Sequence, residues 1–154
     1  MKKFAILLIL PFYVLFAHAQ SLERTDSENQ NTGSAINIAV SKYDLADGNT
    51  YYDDATNFAN SGNFNLALTS YGRAAFEYSV VKNYNRYGVA IMKMSDMHYK
   101  LGNFKEAGDI LLNVALKNYS KLKNTPGLMN TYYLLGNALL AQDKYTESMW
   151  FYTQ

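Results

Sequence analysis

"YKLGNFKEA" occupies residues 99–107, and the chain writes nearly the same phrase twice more, as "ANSGNFNLA" at 59–67 and "LAQDKYTES" at 140–148. Superimposing the copies brings Gly62, Gly102 and Asp143 to one position, 40 and then 41 residues apart. Two places on stand Phe64, Phe104 and Tyr145; three further on, Ala67, Ala107 and Ser148; then Tyr71, Leu111 and Tyr152. Seven places before the glycine position stand Ala55, Ser95 and Gly136, preceded by Asp54, Met94 and Leu135.

Each copy reads as two helices joined by a tight turn. Ile91, Met94, His98 and Leu101 recur at steps of three and four, which puts them on one helical stripe. The turn needs a residue with positive φ, which glycine adopts without steric cost and aspartate tolerates better than most. Asn63 and Asn103 suit the cap of the second helix, and Asn103 with Glu106 has the spacing of a capping box. The aromatic at 64, 104 or 145 is placed to cover the turn. The small residue at 67, 107 or 148 lets the two helices approach closely. This pattern predicts helices over 50–61, 64–82, 86–101, 104–122, 126–141 and 144–154, with no competing strand signal. Thr125 and Pro126 read as the cap and first residue of the fifth helix.

The repeats resemble the tetratricopeptide repeat, a helix–turn–helix unit with small, aromatic and alanine positions in this order. "TYYLLGNALLAQDKYTESMWFY" (131–152) carries the resemblance best; Asp53-Asp54 departs from it, standing where an apolar pair is usual. The resemblance covers about residues 48–154 and implies an all-α fold, a right-handed superhelix (solenoid) of antiparallel helix pairs with about three units, 48–82, 86–122 and 126–154, the last incomplete. The usual period is about 34 residues. The surplus here falls after each second helix, in "SVVKNYNRYG" (79–88) and "NYSKLKNTPG" (118–127), and predicts longer second helices with longer links. Long-period units of this kind resemble those of bacterial regulatory proteins, including the sensor regions of histidine kinases.

The chain has 154 residues, 49% of them apolar and 18% charged, and no cysteine, so disulfides and thiolate metal sites are excluded. Lys2 and Lys3, the uncharged run "FAILLILPFYVLFA" (4–17) and the small-x-small end Ala17-His18-Ala19 have the layout of a cleaved signal peptide over 1–19. The run is too short for a membrane span, which needs about 20 apolar residues. Export to a bacterial periplasm or cell envelope is the expectation. Residues 20–48 form a polar lead, with a short helix expected over 35–45. After removal of 1–19 the net charge is close to zero, which argues against nucleic acid as a partner. Lys117, Lys121 and Lys123 read as cations at a helix C-terminus.

His98 is the one histidine beyond the signal segment, and it falls on the buried stripe, where a core imidazole with one hydrogen bond is expected. A metal site needs three or four converging ligands; one histidine and no cysteine do not supply them and the carboxylates are scattered, and no serine has a base in triad pattern. No cofactor and no catalysis within these residues are expected. The resemblance instead implies a groove lined by first helices. Its groove-facing positions select Asn49, Tyr52, Thr56, Ala59 and Asn60 from copy one. Copy two supplies Val89, Met92, Asp96, Tyr99 and Lys100, and copy three Asn130, Tyr133, Asn137, Leu140 and Ala141. Tyrosines offer flat contact area with a polar tip, and asparagines can bond the main chain of an extended peptide. A family-type clamp for a terminal carboxylate needs successive basic groove residues, and only Lys100 is basic.

The sequence thus predicts an exported module that binds a protein or peptide segment. The alternative is the periplasmic sensory input region of a longer histidine kinase or transcriptional regulator, attached to the membrane only through a downstream segment. The chain halts within the last helix and leaves Met149, Trp150 and Tyr152 with no following pair, so it is expected to be the front portion of a longer protein.

Overall fold

The computed structural model describes residues 45–154, which form six helices and, among the described residues, no strand. Helix α1 is Leu45–Asn60, α2 is Phe64–Val80 and α3 is Tyr84–Lys100. Helix α4 runs over 104–122 as an α-helical stretch Phe104–Ile110, a π-helical stretch Leu111–Ala115 and an α-helical stretch Leu116–Leu122. Helix α5 is Thr125–Leu140 and α6 is Tyr145–Tyr152. The expected signal segment, nearly all of the polar lead and all but the last residue of the expected helix over 35–45 lie outside the described residues. Helix α1 begins at Leu45, ahead of the expected 50, so the Asp53-Asp54 pair lies inside a continuous helix; both side chains are exposed.

Consecutive helices pack on one another throughout, and α3 also touches α5, the first helix of the next pair. All five turns share one geometry. A residue with positive φ donates its N–H to the carbonyl three back, and the next residue donates to the carbonyl five back. In this way Gly62 and Asn63 meet Ala59 and Phe58, and Gly102 and Asn103 meet Tyr99 and His98. This is a Schellman-type close, which satisfies the last carbonyls of a helix. The links between pairs close identically at Lys82 and Lys123, with φ of 58° and 52°. They are therefore as short as the turns within pairs, contrary to the longer links expected. The surplus over the usual period is carried by helix length alone.

Capping follows the same division. Asn83 accepts a hydrogen bond from the Arg86 N–H at 3.2 Å, and Asn124 from the Gly127 N–H at 2.9 Å. The cap of α5 is therefore Asn124 and not Thr125, which is already helical. Asn63 and Asn103 hold cap positions, yet their side chains make no cap bond, and the expected capping box is not formed.

The π stretch explains the uneven period. Ala67 and Ala107, both fully buried, are 40 residues apart, whereas the buried Tyr78 and Tyr119 are 41 apart. One extra residue has entered α4 between these landmarks, and a π stretch is how a helix absorbs an insertion without unwinding. Register is recovered by Tyr119, whose ring lies against both Gly88 and Gly127; a Cβ on Gly127 would come 2.4 Å from that ring. Tyr78 lies in the same way on Gly48, and its hydroxyl donates to Asn49 Oδ1, which also accepts from Arg86 at 2.7 Å. Asn49 thus ties α1, α2 and α3.

The small positions are the closest approach within each pair. Ala55 and Ala67 are fully buried. In the second pair Ser95 Oγ donates to the Ala107 carbonyl at 3.0 Å; in the third Ser148 Oγ donates to the Gly136 carbonyl at 2.8 Å. These are the same two positions with donor and acceptor exchanged. The main core joins Ala74, Tyr78, Ala90, Ile91, Leu111, Ala115, Tyr119 and Leu135, and a smaller one joins Ala55, Ala67, Tyr71 and Met97. Phe64 and Phe104 are half-buried over their turns, while Tyr145 is exposed and bonds Asp143 Oδ1 through its hydroxyl.

Candidate functional site

A cavity of about 240 Å³ lies where α3, α4 and α5 meet. Helix α3 supplies Ser95, Asp96 and Tyr99, α4 supplies Ala107, and α5 supplies Leu134, Asn137 and Ala138. The cavity exists because positions 95, 107 and 138 carry small side chains, so the backbones come close beneath it and leave space above.

Each polar group on the wall is held from behind. Ser95 spends its hydroxyl proton on the Ala107 carbonyl. Asp96 Oδ2 pairs with Lys100 Nζ at 3.1 Å, one turn away on the same helix. Lys100 also stands 5.6 Å from the centre of the Phe64 ring, which fixes the direction of the ion pair. The Tyr99 ring meets Phe104 edge-on at 5.0 Å. Asn137 Oδ1 accepts from the Tyr152 hydroxyl at 2.7 Å, and its amide nitrogen has no partner among the described residues. The wall therefore offers a carboxylate, an amide donor and a tyrosine.

Nine of the fifteen candidate groove residues, the tyrosines, Met92 and most of the polar ones, separate into groups. Asp96, Tyr99 and Asn137 come together in this cavity, with Lys100 behind Asp96. Met92 does not: only 8% exposed, it lies in the core, its sulfur 3.6 Å from the Thr131 hydroxyl oxygen, whose proton goes to the Gly127 carbonyl. Tyr52 and Thr56 pack between α1 and α2, the ring against Tyr71 at 5.2 Å and the Thr56 hydroxyl on the Tyr52 carbonyl and the Tyr71 hydroxyl. Burial pushes the Tyr52 hydroxyl above the usual phenol range. Asn60 is exposed. Tyr133 is 58% exposed and lines a different cavity, of about 290 Å³, with Met129, Tyr132, Phe151 and Tyr152. Sequence reasoning missed Ser95, Ala107, Leu134 and Ala138 as wall residues. The first two were legible as small positions but were read only as packing.

His98 Nδ1 is buried and has no hydrogen-bond partner, so it lacks the bond expected of it there. Among the described residues no three histidines or carboxylates gather as metal ligands, and no helix is long and apolar enough to cross a membrane. No family model and no curated protein matches the chain.

Proposed function

We propose that the chain is an exported helical-repeat protein of tetratricopeptide type that recognises an extended peptide segment and has no catalysis of its own. In this reading three stacked units wind into a superhelix whose first helices line a groove, and the α3–α4–α5 cavity is its centre. The observation that carries it is the convergence of Asp96, Tyr99 and Asn137, from two successive first helices, on one cavity. A carboxylate can accept from main-chain N–H groups and an amide can donate to main-chain carbonyls, and Tyr99 offers a flat apolar contact. Peptides selected from a displayed random library on the purified chain test the reading by fluorescence anisotropy. Asn137→Ala and Tyr99→Ala should each weaken binding roughly tenfold, one to two kcal/mol being the worth of a good contact in a binding site. Selected peptides that ignore both changes would sink the proposal. Export is tested separately: the mature protein should begin at Gln20.

A further inference from the structure

A second and larger cleft, of about 600 Å³, opens between the end of α2, the first turn of α3 and the length of α4. Its floor is fixed. Asn118 Nδ2 donates to the Tyr84 carbonyl at 2.8 Å, and Gly88 beneath it lies so close that a Cβ there would stand 2.6 Å from the same nitrogen. Tyr84, Tyr87 and Val114 give the cleft apolar surface, and Lys117 and Lys121 stand along its α4 wall.

On that wall Asn113, Lys117 and Lys121 recur at steps of four, with Val114, Asn118 and Leu122 beside them. Lys117 and Lys121 both belong to the α-helical stretch Leu116–Leu122, where residues four apart are neighbours on one face, so both stand on one opening.

Charge is segregated here. The stretches that line the cleft, 79–87 and 113–122, contain no aspartate or glutamate. The two lysine ion pairs among the described residues, Lys100–Asp96 and Lys105–Asp109, lie elsewhere. Lys117 and Lys121 are exposed and have no ion pair among the described residues.

We propose that the cleft is a second binding site, for an acidic polypeptide segment with an apolar side chain. The carboxylates meet Lys117 and Lys121, and the apolar group lies on Tyr84, Tyr87 and Val114. The site is separate from the α3–α4–α5 cavity, so neither reading depends on the other.

The test is fluorescence anisotropy of a short labelled peptide of alternating glutamate and leucine on the purified chain. Binding should weaken with added salt, since exposed pairs are screened. The double change K117Q/K121Q should weaken it roughly tenfold, and K117R/K121R should retain it. K105Q, on the Asp109 pair, should leave it unchanged. Both cleft lysines are exposed, so circular dichroism of these variants should match the parent chain. The same peptide with glutamine for glutamate needs no variant at all, and it should bind at least roughly tenfold less tightly. Equal affinity for the glutamine peptide, no effect of the double change, or no binding of either peptide overturns the proposal. Displacement by oligothymidylate as effective as by unlabelled peptide also overturns it, because the surface would then be only a generic polyanion site.

Discussion

Lys82 and Lys123 sit in the left-handed region at φ of 58° and 52°, as Gly62 and Gly102 do at 75° and 81°. A side chain there costs about 1–2 kcal/mol, which glycine avoids at the expense of greater freedom in the unfolded chain. Lys82→Gly should therefore raise stability by about 0.5–1 kcal/mol in urea unfolding. Gly102→Ala should lower it by about 1–2 kcal/mol, although the space beside Gly102 is open, because the conformation itself is strained. A steric penalty dominates instead at Ala107, which is fully buried and whose carbonyl accepts from Ser95. Ala107→Trp must part α3 from α4 and should cost at least the ~1–3 kcal/mol typical of over-packing, read as a lower thermal midpoint. Tyr119 gives a pH test. Burial pushes its hydroxyl up from 10.0 to about 12. The unfolded chain loses that proton first, so this contribution is intact below pH 10 and is lost as pH rises toward 12. The loss should be about 1.4 kcal/mol per pH unit across that window. Urea midpoints measured on both sides of pH 10 should fall more steeply for the parent chain than for Tyr119→Phe.

At the scale of the element, α4 and α2 should respond differently to losing a residue. Leu112 is exposed within a π stretch that already holds one residue too many for an α-helix. Deleting it should let the stretch relax to ordinary α-helix and keep Tyr119 between Gly88 and Gly127, with circular dichroism retained. Deleting Thr69, also exposed, from α2 has no surplus to absorb it. That loss turns Tyr78 about 100° around the helix, away from Gly48 and Asn49, and the chain should unfold well below its normal midpoint. The insertion left only a trace in the sequence, a spacing of 41 where the other is 40, because nothing in the local composition of "LLNVA" distinguishes a π stretch from an α-helix. The turns within pairs were legible, since glycine and aspartate announce positive φ. The turns at Lys82 and Lys123 were not, because lysine carries no such signal and the geometry is imposed by the packing on either side. The cap of α5 was misplaced by one residue for a related reason: Asn124 and Thr125 are both good caps, and the sequence does not rank them. At the candidate site, Asp96, Tyr99 and Asn137 were legible from their offset to the turn. Their cavity was not, because it depends on what the next helix presents.

At the scale of the whole molecule, one register position has opposite surroundings in successive pairs. Met92 and Tyr133 are equivalent, 41 residues apart across the insertion. Met92 is covered by α5, through Thr131, and is 8% exposed; Tyr133 is 58% exposed, beside Met129, which is open as well. No feature of either residue alone decides this, since both are large and mainly apolar. What decides it is whether another helix pair packs upon them, which is why a pattern of apolar positions predicts helices more securely than it predicts burial. The contrast can be measured with one substitution made twice. Met92→Asp places a carboxylate in the core beside Thr131, whose hydroxyl proton is already given to the Gly127 carbonyl, and it should remove about 3–5 kcal/mol, enough to leave much of the chain unfolded at room temperature. Tyr133→Asp stays in water and should change stability by less than about 1 kcal/mol. Thermal unfolding followed by circular dichroism separates the two. A large loss at both positions would mean that α5 and α6 have a cover of their own, and a small loss at both would mean that α3 and α5 do not pack at Met92.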